Sequence, residues 1–256
     1  MFVNKTYLFL VIFGLVLSGC SHLASKDVLY QVSTIQALSV GNYDGQATLC
    51  ELKQRGDFGL GTFQGLDGEM VVLDGKFYQV KVDGRVYLVN AAAGIPFAQV
   101  TFFDIDRIFA INQELNYLQL KQYLDKVLPA NNIFQAIKIS GVFKYIKFRS
   151  VPKQAKPYSE LSQAVEAQKV FEFYNLEGTI VGWRSPEYSK NFSVGGYHLH
   201  FISADRKSGG HLLDFQASKL KIEIDDTADF YLSLPTNQEF LGLNLNTPET
   251  KIGLSE

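Results

Sequence analysis

The sequence predicts an α+β fold: two mixed or antiparallel β-sheet regions, two main helices, and a metal site on a β-hairpin in the C-terminal half. Three observations lead there. Most of the chain consists of short alternating or β-rich runs punctuated by turn residues. Only two stretches carry apolar residues at three- and four-residue spacing. Three of the four histidines fall inside a single strand-turn-strand pattern.

The first element is set apart from the fold. Lys5 precedes an apolar run at 8–17, about ten residues against the roughly 20 that a spanning helix needs. Leu17-Ser18-Gly19-Cys20 follows and resembles the bacterial lipobox, whose cysteine becomes the lipidated first residue of the mature chain. The expectation is a lipoprotein-type signal peptide at 1–19, lipidation at Cys20, and a tether at 20–27. The protein is then exported, as a periplasmic or cell-surface lipoprotein or otherwise secreted, and meets a membrane only through the lipid anchor at Cys20. A thioether at Cys20 leaves Cys50 without a disulfide partner, so Cys50 is expected to be buried and inert.

The remainder is long enough for one large domain or two small ones. The expected division is an N-terminal α+β domain at 28–177 and a mostly β C-terminal domain at 178–256. A formal charge of −2 with no Lys/Arg cluster lacks the phosphate-neutralising surface of nucleic-acid binding, so that class is excluded. With 46% hydrophobic residues and only seven prolines, the chain reads as a compact globule rather than a disordered one.

Strands are expected at 29–32, 47–52, 69–73, 76–82 and 86–90, a meander in which Asp74-Gly75 and Asp83-Gly84 sit at hairpin-turn positions. Further β-rich runs lie at 97–103 and 134–148. Between them, the apolar spacing over 106–127 predicts a helix starting near Asn112, and a second helix is predicted from Ser159 to about Phe173, ended by Gly178. Strands resume at 178–183, 196–203, 211–216, 220–224 and 229–232. No glycine-rich phosphate loop of the dinucleotide or nucleoside-triphosphate kind is present.

The chemistry concentrates at His198, His200 and His211; His22 falls in the tether. Residues two apart on a strand share a face, so His198 and His200 project together. If residues 205–208 form a four-residue loop, Ala204 faces Gly209 and His211 faces Ile202, on the same side as the other two. Three neutral imidazoles suit Zn2+ and leave coordination positions open, the catalytic rather than the structural pattern. Gly195-Gly196 and Gly209-Gly210 flank the two strands either to let backbones approach or simply to turn the chain.

Several separated stretches, Gly56-Asp57-Phe58-Gly59-Leu60-Gly61-Thr62-Phe63, Leu66-Asp67-Gly68-Glu69-Met70, the Asp74-Gly75 turn, Gly196-Tyr197-His198-Leu199-His200 and Gly209-Gly210-His211, together resemble the acetolactate decarboxylase family. The resemblance runs from about Val28 to the C-terminus. It implies conversion of 2-acetolactate to acetoin and carbon dioxide, zinc on the three histidines, a homodimer, and catalytic residues at Thr62, Glu69 and Arg149. It also implies a carboxylate from the C-terminal tail, for which Glu256 is the better positional match over Glu249.

Loss of a carboxylate β to a ketone pushes electrons onto the ketone oxygen. The expected chemistry is therefore a metal-stabilised enediolate that is protonated on one face. Arg149 would grip the substrate through its planar donors, and Glu69 would control the proton. A glutamate beside zinc and arginine has a lowered pKa unless an apolar surround compensates. Two alternatives use the same ligands: a zinc hydrolase with a metal-activated water, and a non-enzymatic exported zinc-binding lipoprotein.

Overall fold

The computed structural model describes residues 27–89, 91–128 and 131–245. The signal segment, Cys20 and Glu256 lie outside the described residues. In the first half the strands are β1 (Val28–Val32), β2 (Ala47–Thr48), β3 (Phe58–Thr62), β4 (Glu69–Leu73), β5 (Lys76–Val80), β6 (Val86–Leu88), β7 (Gly94–Ile95) and β8 (Phe97–Thr101). In the second half they are β9 (Arg107–Ile111), β10 (Leu115–Asn116), β11 (Phe134–Ser150), β12 (Lys169–Ser185), β13 (Gly196–Ser203), β14 (Gly209–Thr227) and β15 (Asp229–Ser233). The helices are α1 (Ile35–Ser39), α2 (Leu49–Lys53), α3 (Tyr117–Val127), α4 (Leu161–Glu166) and α5 (Gln238–Leu241).

Two large sheets result, so the α+β class and the two-sheet architecture stand. The first runs β15-β1-β8-β3-β4-β5-β6 and is antiparallel except for the parallel pair β1–β15. The second runs β10-β14-β11-β12-β13, with β9 also on β14, and it closes on itself because β13 pairs with the start of β14. The sheets are joined by a shared core: Leu29, Leu60, Val71 and Val80 of the first meet Ala136, Val181, Trp183 and Ile202 of the second. The expected domain junction at 177/178 falls inside β12, and β15 crosses back to pair with β1. No helix among the described residues is long and apolar enough to cross a membrane.

The Asp74-Gly75 turn forms as its residue types demand. Leu73 pairs with Lys76, and both turn residues have positive φ, 51° and 71°, the primed geometry that follows strand twist. Asp83-Gly84 does not form a two-residue turn. Only Gly84 has positive φ, at 75°, and the connection is a longer loop closed by Lys81 N–H donating to the Arg85 carbonyl at 3.1 Å.

Both predicted helices are shorter than their apolar spacing suggested. Residues 107–111 form β9 and pair with 220–224, because the long edge of β14 offers them a hydrogen-bonding ladder. Helix α3 begins only at Tyr117, where Asn116 and Gln119 exchange a capping box, and it buries Leu120 and Leu124. The predicted second helix stops at Glu166. Val170, Phe171 and Phe173 belong to β12, where Phe171 and Phe173 pack on the Phe148 ring, and Gly178 sits mid-strand against the Phe201 ring.

Two more expectations are corrected. The run 47–52 is a strand only at Ala47–Thr48; Thr48 then caps α2 by accepting from Glu51 N–H, and α2 turns Leu49 and Leu52 inward. That rotation leaves Cys50 exposed, not buried. The runs 211–216 and 220–224 are parts of the single strand β14.

Asp225, on β14, is fully buried. One carboxylate oxygen accepts from Asp104 N–H at 3.2 Å and the other has no partner. Burial, reinforced by Asp106, Asp27 and Asp104, pushes its pKa up to about 7. An acid whose folded pKa is raised costs stability once pH exceeds its unfolded value, and the full cost is reached above the folded one. Asp225→Asn is therefore expected to match the native melting temperature near pH 4 and to exceed it by several degrees at pH 8. Calorimetry across that range checks it, and a difference that does not change with pH would exclude Asp225 as the responsible group.

Candidate metal centre

Strand alternation puts His198 and His200 of β13 on one face, and β14 brings His211 directly opposite His200. Arg149 of β11 is in turn opposite His211. Arg149, His211 and His200 thus form one row across three adjacent strands, with His198 two residues along from His200. The expected partner of His211 was Ile202, but Ile202 pairs with Gly209. The loop has the expected four residues, yet it starts one residue earlier: Ser203 N–H donates to the Ser208 carbonyl at 2.8 Å, and Ser203 Oγ accepts from Lys207 and Ser208 N–H. Moving an even loop by one residue at each strand preserves which face each side chain takes, so convergence survives the change of partner.

The three imidazoles offer ligand atoms that all lie within 4.8 Å of one another, and all three residues are buried. Their ring centroids are 5.0 to 5.3 Å apart. His200 Nδ1 lies 2.7 Å from the Met70 carbonyl of β4. Only a protonated nitrogen can donate there, which leaves the lone pair on Nε2, a support typical of a metal-bound histidine. His200 Nε2 and His198 Nδ1 are buried with no hydrogen-bond partner. Ring nitrogens left unpaired at such depth are costly, and a cation shared between them removes that cost.

Electrostatics favour the ligand form. Burial holds the His198 and His211 pKa values well below the usual range, and the neighbouring imidazoles and Arg149 push the same way. Burial lowers His200 to about 4, against the opposing bond to the Met70 carbonyl. The imidazoles are neutral at neutral pH, as a divalent ion requires.

The first sheet supplies the rest. Glu69 and Thr62 are cross-strand partners on β4 and β3, and Thr62 Oγ1 donates to the Gly68 carbonyl at 2.7 Å, bracing the start of β4. Glu69 Oε2 is 3.6 Å from His200 Nε2. Burial raises the Glu69 pKa to about 7, outweighing the pull of Arg149. Arg149 is 97% buried, its own pKa lowered by that burial, and its Nη1 has no partner.

The flanking glycines differ in role. Gly210 lies inside β14 at φ 148°, and a Cβ there would stand 2.2 Å from the Arg149 carbonyl, so the close approach of β14 to β11 depends on it. Gly196 has φ 74° with open space around it, which makes it a conformational position rather than a contact.

A narrow cavity of about 40 Å3 is lined by all three histidines together with Thr62, Glu69 and Arg149. A wider cleft of about 780 Å3 also touches His198 and His211, beside Arg184 and Tyr197. Of these two, the narrow cavity is the one that gathers the six, so the chemistry belongs there. Every candidate residue within the described part is thus brought to one place. Two contributors had no signal in the sequence: the Met70 carbonyl, because any residue carries one, and the part of the apolar cavity wall that comes from α1, because that helix is too short for a periodic pattern; the α4 part, Leu161 and Val165, lies on the apolar side of the second predicted helix.

Residues 29–247 match the family described as alpha-acetolactate decarboxylase. The chain is 49% identical over 232 residues to the alpha-acetolactate decarboxylase of Methanosarcina mazei, covering 89% of this chain and 81% of that one. It is 40% identical over 221 residues to that of Bacillus subtilis, covering 86% and 87%. The crystal structure of the Bacillus subtilis strain 168 enzyme superposes with a TM-score of 0.85 over 86% of this chain and 94% of that one. A Staphylococcus aureus protein described as similar to alpha-acetolactate decarboxylase superposes at 0.81 with 32% identity, over 85% and 94%.

Proposed function

The chain belongs to the alpha-acetolactate decarboxylase family and is an acetolactate decarboxylase, a carboxy-lyase; from that premise we propose that it works as a zinc enzyme and that Arg149 and Glu69 direct its reaction. The observation that carries this reading is the buried row Arg149, His211, His200 with unpartnered ring nitrogens on His200 and His198. The donor set, three neutral imidazoles and no thiolate, fits zinc in an open catalytic site. His198, His200 and His211 would hold the ion, which when bound would supply positive charge where the substrate ketone oxygen gains negative charge.

The chain's own residues do the remainder. Arg149 binds the departing carboxylate through its planar donors, and its position opposite His211 sets the orientation of the substrate. Burial keeps water from competing for those donors. Glu69, approaching from the opposing sheet, delivers the proton to the carbon that carried the carboxylate, and delivery from one side gives one acetoin enantiomer. Thr62 holds the β3–β4 start that presents Glu69.

Export, lipid attachment at Cys20 and assembly as a homodimer are part of the same proposal. They rest on the lipobox-like run and the family resemblance. The two alternatives, hydrolysis and metal capture, have no observation favouring them.

The test is acetoin formation from racemic 2-acetolactate, with metal content measured in parallel. The expected result is about one zinc per chain, activity lost on chelation and activity restored by zinc. Full turnover in metal-free protein would overturn the zinc assignment.

A further inference from the structure

Half of the narrow cavity is apolar, and the mechanism above uses none of that half. Ile35 and Leu38 of α1, together with Leu161 and Val165 of α4, line it opposite the polar residues in composition and origin: no polar catalytic group comes from either helix. Leu161 and Val165 are four apart on α4, Ile35 and Leu38 three apart on α1, so each helix turns one apolar pair to the cavity. Thr34 fixes α1 by accepting from Ala37 N–H, and the chain just past α1 abuts the stretch before α4, where a Cβ on Gly41 would stand 2.9 Å from the Ser159 carbonyl. Leu38, Leu161 and Val165 belong to one buried cluster with Phe97 and Val151. The wall is therefore fixed rather than adaptable.

Resting on the proposed reading of the site, we propose that Leu161 and Val165, with Leu38 facing from α1, form the pocket that sizes the alkyl group at C2 of the 2-hydroxy-3-oxo acid. The substrate carries three oxygen functions and two alkyl ends. Its oxygens engage the histidine and Arg149 side of the cavity, which leaves the C2 alkyl group to the apolar side. Leu38, Leu161 and Val165 are buried and packed against Phe97 and Val151, so an added methylene that reaches them has to displace wall atoms. One methylene in an apolar pocket changes discrimination by roughly 10- to 200-fold.

The experiment compares kcat/KM for 2-acetolactate and for its homologue with ethyl in place of methyl at C2, using zinc-loaded protein. Val165→Ala and Leu161→Ala are each expected to raise the ethyl-to-methyl ratio by about tenfold, and Val165→Leu to lower it by a similar factor. Leu124→Ala, in the α3 core away from the cavity, controls for lost stability and leaves the ratio at the native value. Ratios within about twofold of native in all three wall variants, with melting curves showing folded protein, would overturn the size filter while leaving the proposed function intact. A zinc-loaded native protein that converts neither compound would instead remove the reading on which the filter rests.

Discussion

Replacing His200 with alanine is expected to strip the bound metal and to lower kcat/KM for 2-acetolactate by at least about a thousandfold. Partners that merely orient a metal ligand already account for about 10- to 100-fold in affinity or activity, and a ligand itself is worth more. His200 has two roles. Its Nδ1 is fixed by the Met70 carbonyl of the first sheet, and its Nε2 is free to bind an ion. The substitution removes a ligand and also the hydrogen bond from the His200 ring to that carbonyl, worth about 0.5–1.5 kcal/mol. The variant should therefore melt below the native protein even without metal, and added zinc should no longer raise its melting temperature, as it does for a protein that binds the ion only when folded. Elemental analysis, acetoin assay and thermal melting together check this. Retention of one zinc per chain with full turnover would remove His200 from the ligand set.

Glu69→Gln is expected to lower kcat by about 100- to 10,000-fold, the span that positioned acid–base groups supply, and to erode the preference for one acetoin enantiomer. The exchange keeps size and burial but gives up the proton that Glu69 exchanges with the reacting carbon. Metal content should stay near one per chain, because the three histidines are untouched and Glu69 stands 3.6 Å from His200 Nε2, beyond hydrogen-bonding distance. KM should change little if Arg149 supplies the grip on the carboxylate. Chiral chromatography of the product separates the two roles open to Glu69. Slow turnover with intact stereochemistry would mean that the proton arrives by another route and that Glu69 only positions its neighbours.

The histidine site was legible because it is built from local rules. Alternation along 196–203 puts His198 and His200 on one face, and an even loop returns His211 to that face even when its partner is His200 rather than Ile202. The strands at 69–73 and 196–203 were bounded by turn residues and formed where expected. Glu69, Arg149 and Thr62 were named only through resemblance to a family, since each alone looks like an ordinary strand or turn residue.

What the chain's own pattern determined was therefore local: the alternating strands, the Asp74-Gly75 turn and the common face of three histidines. Tertiary structure decided whatever depends on a remote partner. The apolar spacing at 107–111 and 169–173 fits a short helix face as readily as a strand, and the open ladders of β14 and β11 made both of them strands. Cys50 went to solvent because Thr48 started a helix one residue ahead of it. Glu69 and Arg149, 80 positions apart, meet the histidines because the two sheets share a core, and the energy of that burial, not any local preference, brings one buried carboxylate and one buried guanidinium to the same cavity.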